Sequence, residues 1–89
     1  MRKHPVSIDQ ELAKALSHTM RAQVLAAMVD EGKTSPKRIA KRLDEDIRGV
    51  AYHVRVLQRL GCVELVETKQ RRGATEHFYK ATERGLGKS

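Results

Sequence analysis

Two helix-forming segments that are separated by only three polar residues constrain the fold most strongly. Ser35 followed by Pro36 predicts a helix N-terminus, because a serine side chain can cap the free N–H groups and proline fits the first helical position. This short helix is predicted over residues 36–43. A polar corner follows, and Asp46 is the predicted cap of a second helix over residues 47–60. Two helices joined by so tight a turn form a helix-turn-helix.

After Gly61 the sequence changes from a helical to an extended pattern. Residues 62–68 are rich in β-branched and apolar side chains, and residues 75–81 contain threonine and two aromatic residues. The polar residues 69–74 lie between them. This pattern predicts a β-hairpin with a six-residue connection. The alternation in its first strand is imperfect, because three apolar residues cannot all share one face: Val63, Leu65 and Val66.

Two more helices are predicted before the helix-turn-helix. The first covers residues 8–17, and Ser7 is its predicted cap. The second covers residues 19–31 and ends at Gly32. The second helix carries apolar residues most of the way round, which is usual for a helix at the centre of its domain.

The order of these elements predicts a mainly α fold with a small β-hairpin wing, the winged helix-turn-helix. A chain of 89 residues is long enough for one domain with one modest core. We expect this domain to cover residues 8–82. A flexible arm over residues 1–7 precedes it. The short tail over residues 83–89 is expected to fray because it contains two glycines.

The charge of the chain favours a polyanionic partner, and nucleic acid before a membrane. Eighteen Lys and Arg residues against eleven Asp and Glu residues give a net charge of +7. The charge is concentrated in residues 35–61, which carry seven basic and three acidic groups, and in residues 69–80, which carry four and one. No apolar run approaches the roughly 20 residues that cross a bilayer. A cytoplasmic protein without membrane contact is therefore expected.

The predicted helix over residues 47–60 has two opposite faces. One is apolar apart from a histidine and is expected in the core: Val50, His53, Val54, Leu57 and Leu60. The other carries three arginines and a tyrosine. The second helix of a helix-turn-helix enters the major groove of DNA, where arginine can bond to guanine edges. Arginines on a helix face can also be merely solvated, but the neighbouring wing and the clustered charge favour contact with double-stranded DNA.

The predicted DNA contacts come from three segments. The helix over residues 47–60 supplies the side chains expected to meet bases, with Arg59 expected to meet phosphate or solvent. The wing tip is expected to contact phosphate or enter the minor groove. The cations of the preceding short helix either position the protein on phosphates or are merely solvated, and the sequence favours neither. The full set is Lys37, Arg38, Arg48, Ala51, Tyr52, Arg55, Arg59, Lys69, Arg71 and Arg72.

Three stretches of the chain resemble the ArsR-type winged-helix repressors. Residues 43–63 are similar to their recognition helix and the start of their wing, including Tyr52-His53-Val54-Arg55-Val56-Leu57. Residues 15–21 are similar to their opening helix junction, and residues 72–79 to the wing of one subgroup. Together the resemblance covers roughly residues 15–82. It implies a DNA-binding transcriptional regulator, and a repressor that acts by occupying a promoter.

The chain departs from this family at several positions. Gly49 and Ala51 stand where family members usually carry small polar residues. The metal-sensing members have a paired-cysteine motif near the recognition helix, whereas this chain has only Cys62, expected as a small buried hydrophobe. No zinc site and no other cofactor is expected. No nucleophile motif or glycine-rich phosphate loop is present, so an enzyme is not expected.

Two other functions are compatible with the sequence. A winged helix can dock on polymerase or another regulator, with its basic faces against an acidic protein surface. It can also be an architectural or excisionase-like module that bends DNA. For the regulator, we expect a homodimer through residues 8–17, because the stripe of Ile8, Leu12 and Leu16 exceeds what a small core needs. The alternative is that this stripe packs within its own monomer.

Overall fold

A computed structural model describes Ala13 and residues 16–88 of the chain. The described residues form three helices, α1 (Thr19–Glu31), α2 (Pro36–Leu43) and α3 (Ile47–Arg59), followed by two strands, β1 (Val63–Arg71) and β2 (Ala74–Ala81). The predicted arm over residues 1–7 lies outside the described residues. So does most of the predicted helix over residues 8–17, of which Ala13 and Leu16 are helical.

The ends of the helices follow from their capping residues. The side chain of Ser35 accepts a hydrogen bond from the Arg38 N–H at 3.3 Å, and that of Asp46 accepts one from the Arg48 N–H at 2.7 Å. Asp44 ends α2 in the left-handed region, with φ of 56°. Both predicted caps are therefore confirmed. The last helix ends at Arg59, one residue earlier than predicted.

The core lies between the three helices and the base of the hairpin. Helix α1 is central, as predicted, because it buries residues on several sides: Val24, Leu25, Ala27 and Met28. The buried residues of the other two helices that join this core are Ile39, Ala40, Val50, Val54 and Leu57. Cys62, Val63 and Tyr79 close it from the side of the hairpin. Leu16 also packs against this core, so at least this residue of the predicted dimer stripe contacts its own monomer.

The hairpin is longer and tighter than the sequence predicted. Strands β1 and β2 are antiparallel, and only Arg72 and Gly73 connect them, so the expected six-residue connection is wrong. The polar residues 69–71 remain paired because the backbone hydrogen bonds of a hairpin do not require apolar side chains. A bulge at Val66 shifts the register between Leu65 and Glu67. The bulge explains the imperfect alternation, since both Leu65 and Val66 are exposed.

An additional bridge joins the wing to the helix-turn-helix. The Thr34 N–H donates to the Tyr79 carbonyl at 3.0 Å, and the Tyr79 N–H donates to the Thr34 carbonyl at 2.7 Å. Thr34 lies between α1 and α2, so the hairpin is fixed against the start of α2. No local pattern in the sequence indicates this single pair of residues.

The expected fraying of the tail is wrong for residues 83–88. The Thr82 N–H donates to the Cys62 carbonyl at 2.9 Å, and the Leu86 N–H donates to the Thr82 carbonyl at 2.9 Å. A Cβ atom at Gly85 would lie 2.0 Å from the Cys62 carbonyl oxygen. Glycine is therefore required here for close packing of two backbones, and its presence did not indicate flexibility.

Candidate nucleic-acid interface

An open groove of about 580 Å³ lies between α3 and the wing. Basic side chains line it on both sides, with Arg55 on α3 and Arg71 and Arg72 at the end of the wing. Its apolar lining consists of Pro36, Ile47, Ala51, Ala74 and Tyr79. Ile47 is 47% exposed and was not among the predicted contacts, although its place directly after the Asp46 cap could have indicated it. We call this feature the α3–wing groove.

The α3–wing groove brings together half of the predicted contact residues and leaves the other half outside. The residues inside it are Lys37, Ala51, Arg55, Arg71 and Arg72. Arg48, Tyr52 and Arg59 are exposed on α3 but do not line the groove. Arg38 lies within α2, and Lys69 lies within β1. The opposite faces predicted for the helix are confirmed, since Val50, His53, Val54 and Leu57 are buried.

Arg48 is held loosely at the N-terminus of α3. Its guanidinium lies 3.4 Å from the Asp46 carboxylate, and its side chain is 90% exposed. The pKa of Asp46 is lowered, first by the hydrogen bond from the Arg48 N–H and then by the Arg48 guanidinium. An ion pair so exposed to water is weak, so the guanidinium can leave it at little cost.

A cluster of three rings and one arginine packs α3 against the start of α1. His53 is buried, and its Nδ1 accepts a hydrogen bond from the Arg21 Nε at 3.2 Å. The rings of His18 and Tyr52 lie 4.6 and 5.4 Å from its ring. Burial lowers the pKa of His53, and the charges of Arg21 and His18 lower it further. The expected place of His53 in the core is confirmed.

The Glu76 carboxylate lies where the wing meets α2. Its oxygens lie 2.5 Å from the Ser35 Oγ, 2.9 Å from the Arg71 Nε and 3.6 Å from the Arg38 Nε. The hydrogen bond from Ser35 is the main cause of the lowered pKa of Glu76, and Arg71 and Arg38 contribute as well. A cleft of about 500 Å³ opens beside it, lined by Lys37, Arg38, Lys41, Arg71 and Glu76. We call this feature the α2–wing cleft.

Lys69 was predicted at the wing tip, and the structure places it elsewhere. It lies inside β1, where its backbone pairs with that of Glu76 in β2, whereas Arg72 and Gly73 form the tip. Its ammonium lies 5.4 Å from the centre of the Phe78 ring and 3.9 Å from the Glu67 carboxylate. The position was misjudged because the polar composition of residues 69–71 suggested a loop.

Arg42 stabilises the packing of two helices. Its guanidinium lies 2.9 Å from the Asp30 carboxylate and 3.2 Å from that of Glu31, which joins α2 to α1. This contact gives Arg42 a structural role in the packing of α2 on α1.

Cys62 is fully buried, as predicted, and burial raises the pKa of its thiol. Ala13 and residues 16–88 contain no group of three or more side chains that could hold a metal ion. No helix in this part of the chain is long and apolar enough to cross a membrane.

The chain matches no protein-family model and no curated protein. Solved structures are similar to it over most of its length. An ArsR-like transcriptional regulator from Rhodococcus sp. RHA1 superposes with a TM-score of 0.73 at 26% identity, covering 91% of this chain and 71% of that chain. The chain has the fold of the ArsR-type regulators.

Two further solved structures show the same fold at lower identity. Reduced HlyU from Vibrio cholerae superposes with a TM-score of 0.70 at 23% identity, covering 91% of this chain and 80% of that chain. The reduced form of the regulator YodB from B. subtilis gives a TM-score of 0.74 at 14% identity, covering 94% and 80%. The predicted resemblance and the winged helix-turn-helix fold are confirmed. The Rhodococcus and B. subtilis proteins are transcriptional regulators.

Proposed function

We propose that this protein is a cytoplasmic transcriptional regulator that binds double-stranded DNA sequence-specifically and represses by occupying a promoter. The observation that carries the proposal is the α3–wing groove. Arginines face each other across it from the two elements that a winged helix applies to DNA. The regulators that share the fold support the same function.

Base recognition is assigned to the exposed face of α3. Arg48 and Arg55 are exposed near the start and the middle of this helix. A guanidinium can donate two parallel hydrogen bonds to the O6 and N7 atoms of guanine. Tyr52 is 49% exposed between them, and the half-buried Ala51 allows the helix to approach closely. Arg59, near the end of the helix, is assigned to phosphate.

Phosphate contacts are assigned to the end of the wing and the start of α2. Arg71 and Arg72 line the groove from the wing, and Lys37 lines it from α2. Such contacts fix the position of a protein on the duplex and carry most of its salt dependence. Lys69 is assigned a smaller share, since it lies away from the tip beside Glu67 and Phe78.

The proposed regulator is a homodimer through residues 8–17. One recognition helix covers few base pairs, and two-fold dimers place two of them about one DNA turn, roughly 34–36 Å, apart. Leu12→Lys places a charge in the proposed interface. In sedimentation velocity, the wild-type protein should be a dimer at micromolar concentration and the variant a folded monomer. A wild-type monomer that protects one asymmetric site would exclude the dimer.

The most direct test of specific binding is selection from a pool of random duplexes. Specific recognition predicts a recovered motif, and a homodimer predicts that the motif has two-fold symmetry. Recovery of bent or flexible sequences without a base motif would favour the architectural alternative. Failure to retain any duplex would favour docking on an acidic protein surface.

A further inference from the structure

The Glu76 carboxylate joins the wing to the N-terminus of α2. It accepts a hydrogen bond from the Ser35 hydroxyl at 2.5 Å, and that hydroxyl in turn accepts one from the Arg38 N–H at 3.3 Å. Ser35 is completely buried. One hydroxyl therefore caps α2 and binds the wing, so the position of the wing depends on both contacts.

The same carboxylate orients two guanidiniums. The Arg71 Nε lies 2.9 Å from one of its oxygens, and the Arg38 Nε lies 3.6 Å from the other. In both arginines Nε is the nitrogen nearest to Glu76, and the terminal nitrogens carry most of the N–H donors. The side chain of Glu76 is 11% exposed, whereas those of Arg71 and Arg38 are 45% and 58% exposed. The carboxylate thus lies inside, and the two cations reach solvent.

Four cations and one carboxylate line the α2–wing cleft. Lys37 and Lys41 of α2 complete the set that Arg38 and Arg71 begin. Paired guanidiniums are well suited to phosphate oxygens, because their planar N–H groups can bond two oxygens at once. Lys37 and Arg71 also line the α3–wing groove, so the cleft continues the basic surface around the edge of the wing.

We propose that the α2–wing cleft binds one phosphate of the DNA backbone, with Arg38 and Arg71 as its contacts and Glu76 as the residue that positions them. This inference rests on the proposed DNA binding. Charge counting alone would predict tighter DNA binding when the negative charge of Glu76 is removed, and the proposal predicts the reverse. Removing the negative charge of Glu76 should weaken DNA binding, because the two arginines lose their orientation.

The test is a double-mutant cycle with Glu76→Gln, Arg71→Ala and the double variant, measured on one duplex across a salt series. Glu76→Gln should reduce affinity about five- to tenfold, and each single substitution should lower the salt slope by about one. The loss in the double variant should be smaller than the sum of the two single losses, because part of the effect of Glu76 acts through Arg71. Glu64→Gln is the matched control, because it removes an exposed carboxylate elsewhere in the hairpin, and it should not weaken binding.

Equal or tighter binding by Glu76→Gln, or losses that add in the double variant, would overturn the proposal. Urea unfolding of each variant checks the fold. If Glu76→Gln does not fold, Arg38→Ala decides: a salt slope lowered by about one supports the cleft, and an unchanged slope overturns it. A wild-type protein that binds no duplex would instead refute the proposed function itself.

Discussion

The cations of α3 and those of the wing differ in how firmly the fold holds them. The side chain of Arg48 is 90% exposed, and its guanidinium lies 3.4 Å from Asp46, whose side chain is 61% exposed. Arg71 is held at 2.9 Å by Glu76, a carboxylate that is itself fixed by Ser35. Ordering a long side chain on binding costs conformational entropy, and a side chain ordered in advance avoids that cost. The difference suits two tasks: loosely held arginines adjust to base edges, and firmly held arginines fix the register on the backbone.

The largest expected effect comes from the exposed arginines of α3. Arg48→Ala and Arg55→Ala should each cost about 1–3 kcal/mol on the preferred duplex, because a bidentate contact with guanine is lost. Their effect on random duplexes should be smaller. Competition binding with specific and random duplexes measures both. Equal losses on the two would make these residues phosphate contacts, and no loss on either would refute the placement of α3 in the major groove.

The next largest effect concerns the wing and tests whether its DNA contacts are independent of the base sequence. Arg71→Ala and Arg72→Ala should weaken binding to all duplexes about equally, and each should lower the salt slope by about one. Arg72 lies at the tip, so comparison of the two variants separates the end of the wing from its held edge. A strongly sequence-dependent loss would show that the wing reads the shape of the minor groove.

The smallest expected effect concerns the side of α3 that faces the protein. Burial, Arg21 and His18 lower the pKa of His53, so the unfolded state takes up a proton at a higher pH than the folded state does. Stability is therefore retained above about pH 6.5 and lost as the pH falls below it. Urea unfolding at pH 7.5 and 5.5 measures the loss, which should be smaller in His53→Gln. An equal loss in that variant would show that other groups titrate.

The helical part of this fold could be predicted from the sequence because its signals are local. Ser35 with Pro36 marked the start of α2, and Asp46 marked the start of α3. Each cap acts on the two or three residues that follow it, so no knowledge of the rest of the chain was needed. The opposite faces of α3 followed in the same way from the helical period.

The wing and the cleft could not be predicted because they depend on contacts between distant residues. Strand pairing carries the polar residues 69–71 into β1, although their composition suggested a loop. Glu76 binds Ser35, which lies 41 positions away in the sequence, and the residues next to Glu76 do not indicate that contact. Gly85 was misjudged for the same reason, since the Cys62 carbonyl that requires a glycine is 23 positions away.

The central claim is that the α3–wing groove binds a DNA duplex through several phosphates as well as bases. The salt dependence of wild-type binding to a selected duplex tests it most directly. If three or more phosphates are contacted, the logarithm of the association constant should fall linearly with the logarithm of the salt concentration. The slope should be steeper than about −2.5 between about 50 and 200 mM salt. A slope near zero over this range would contradict the claim.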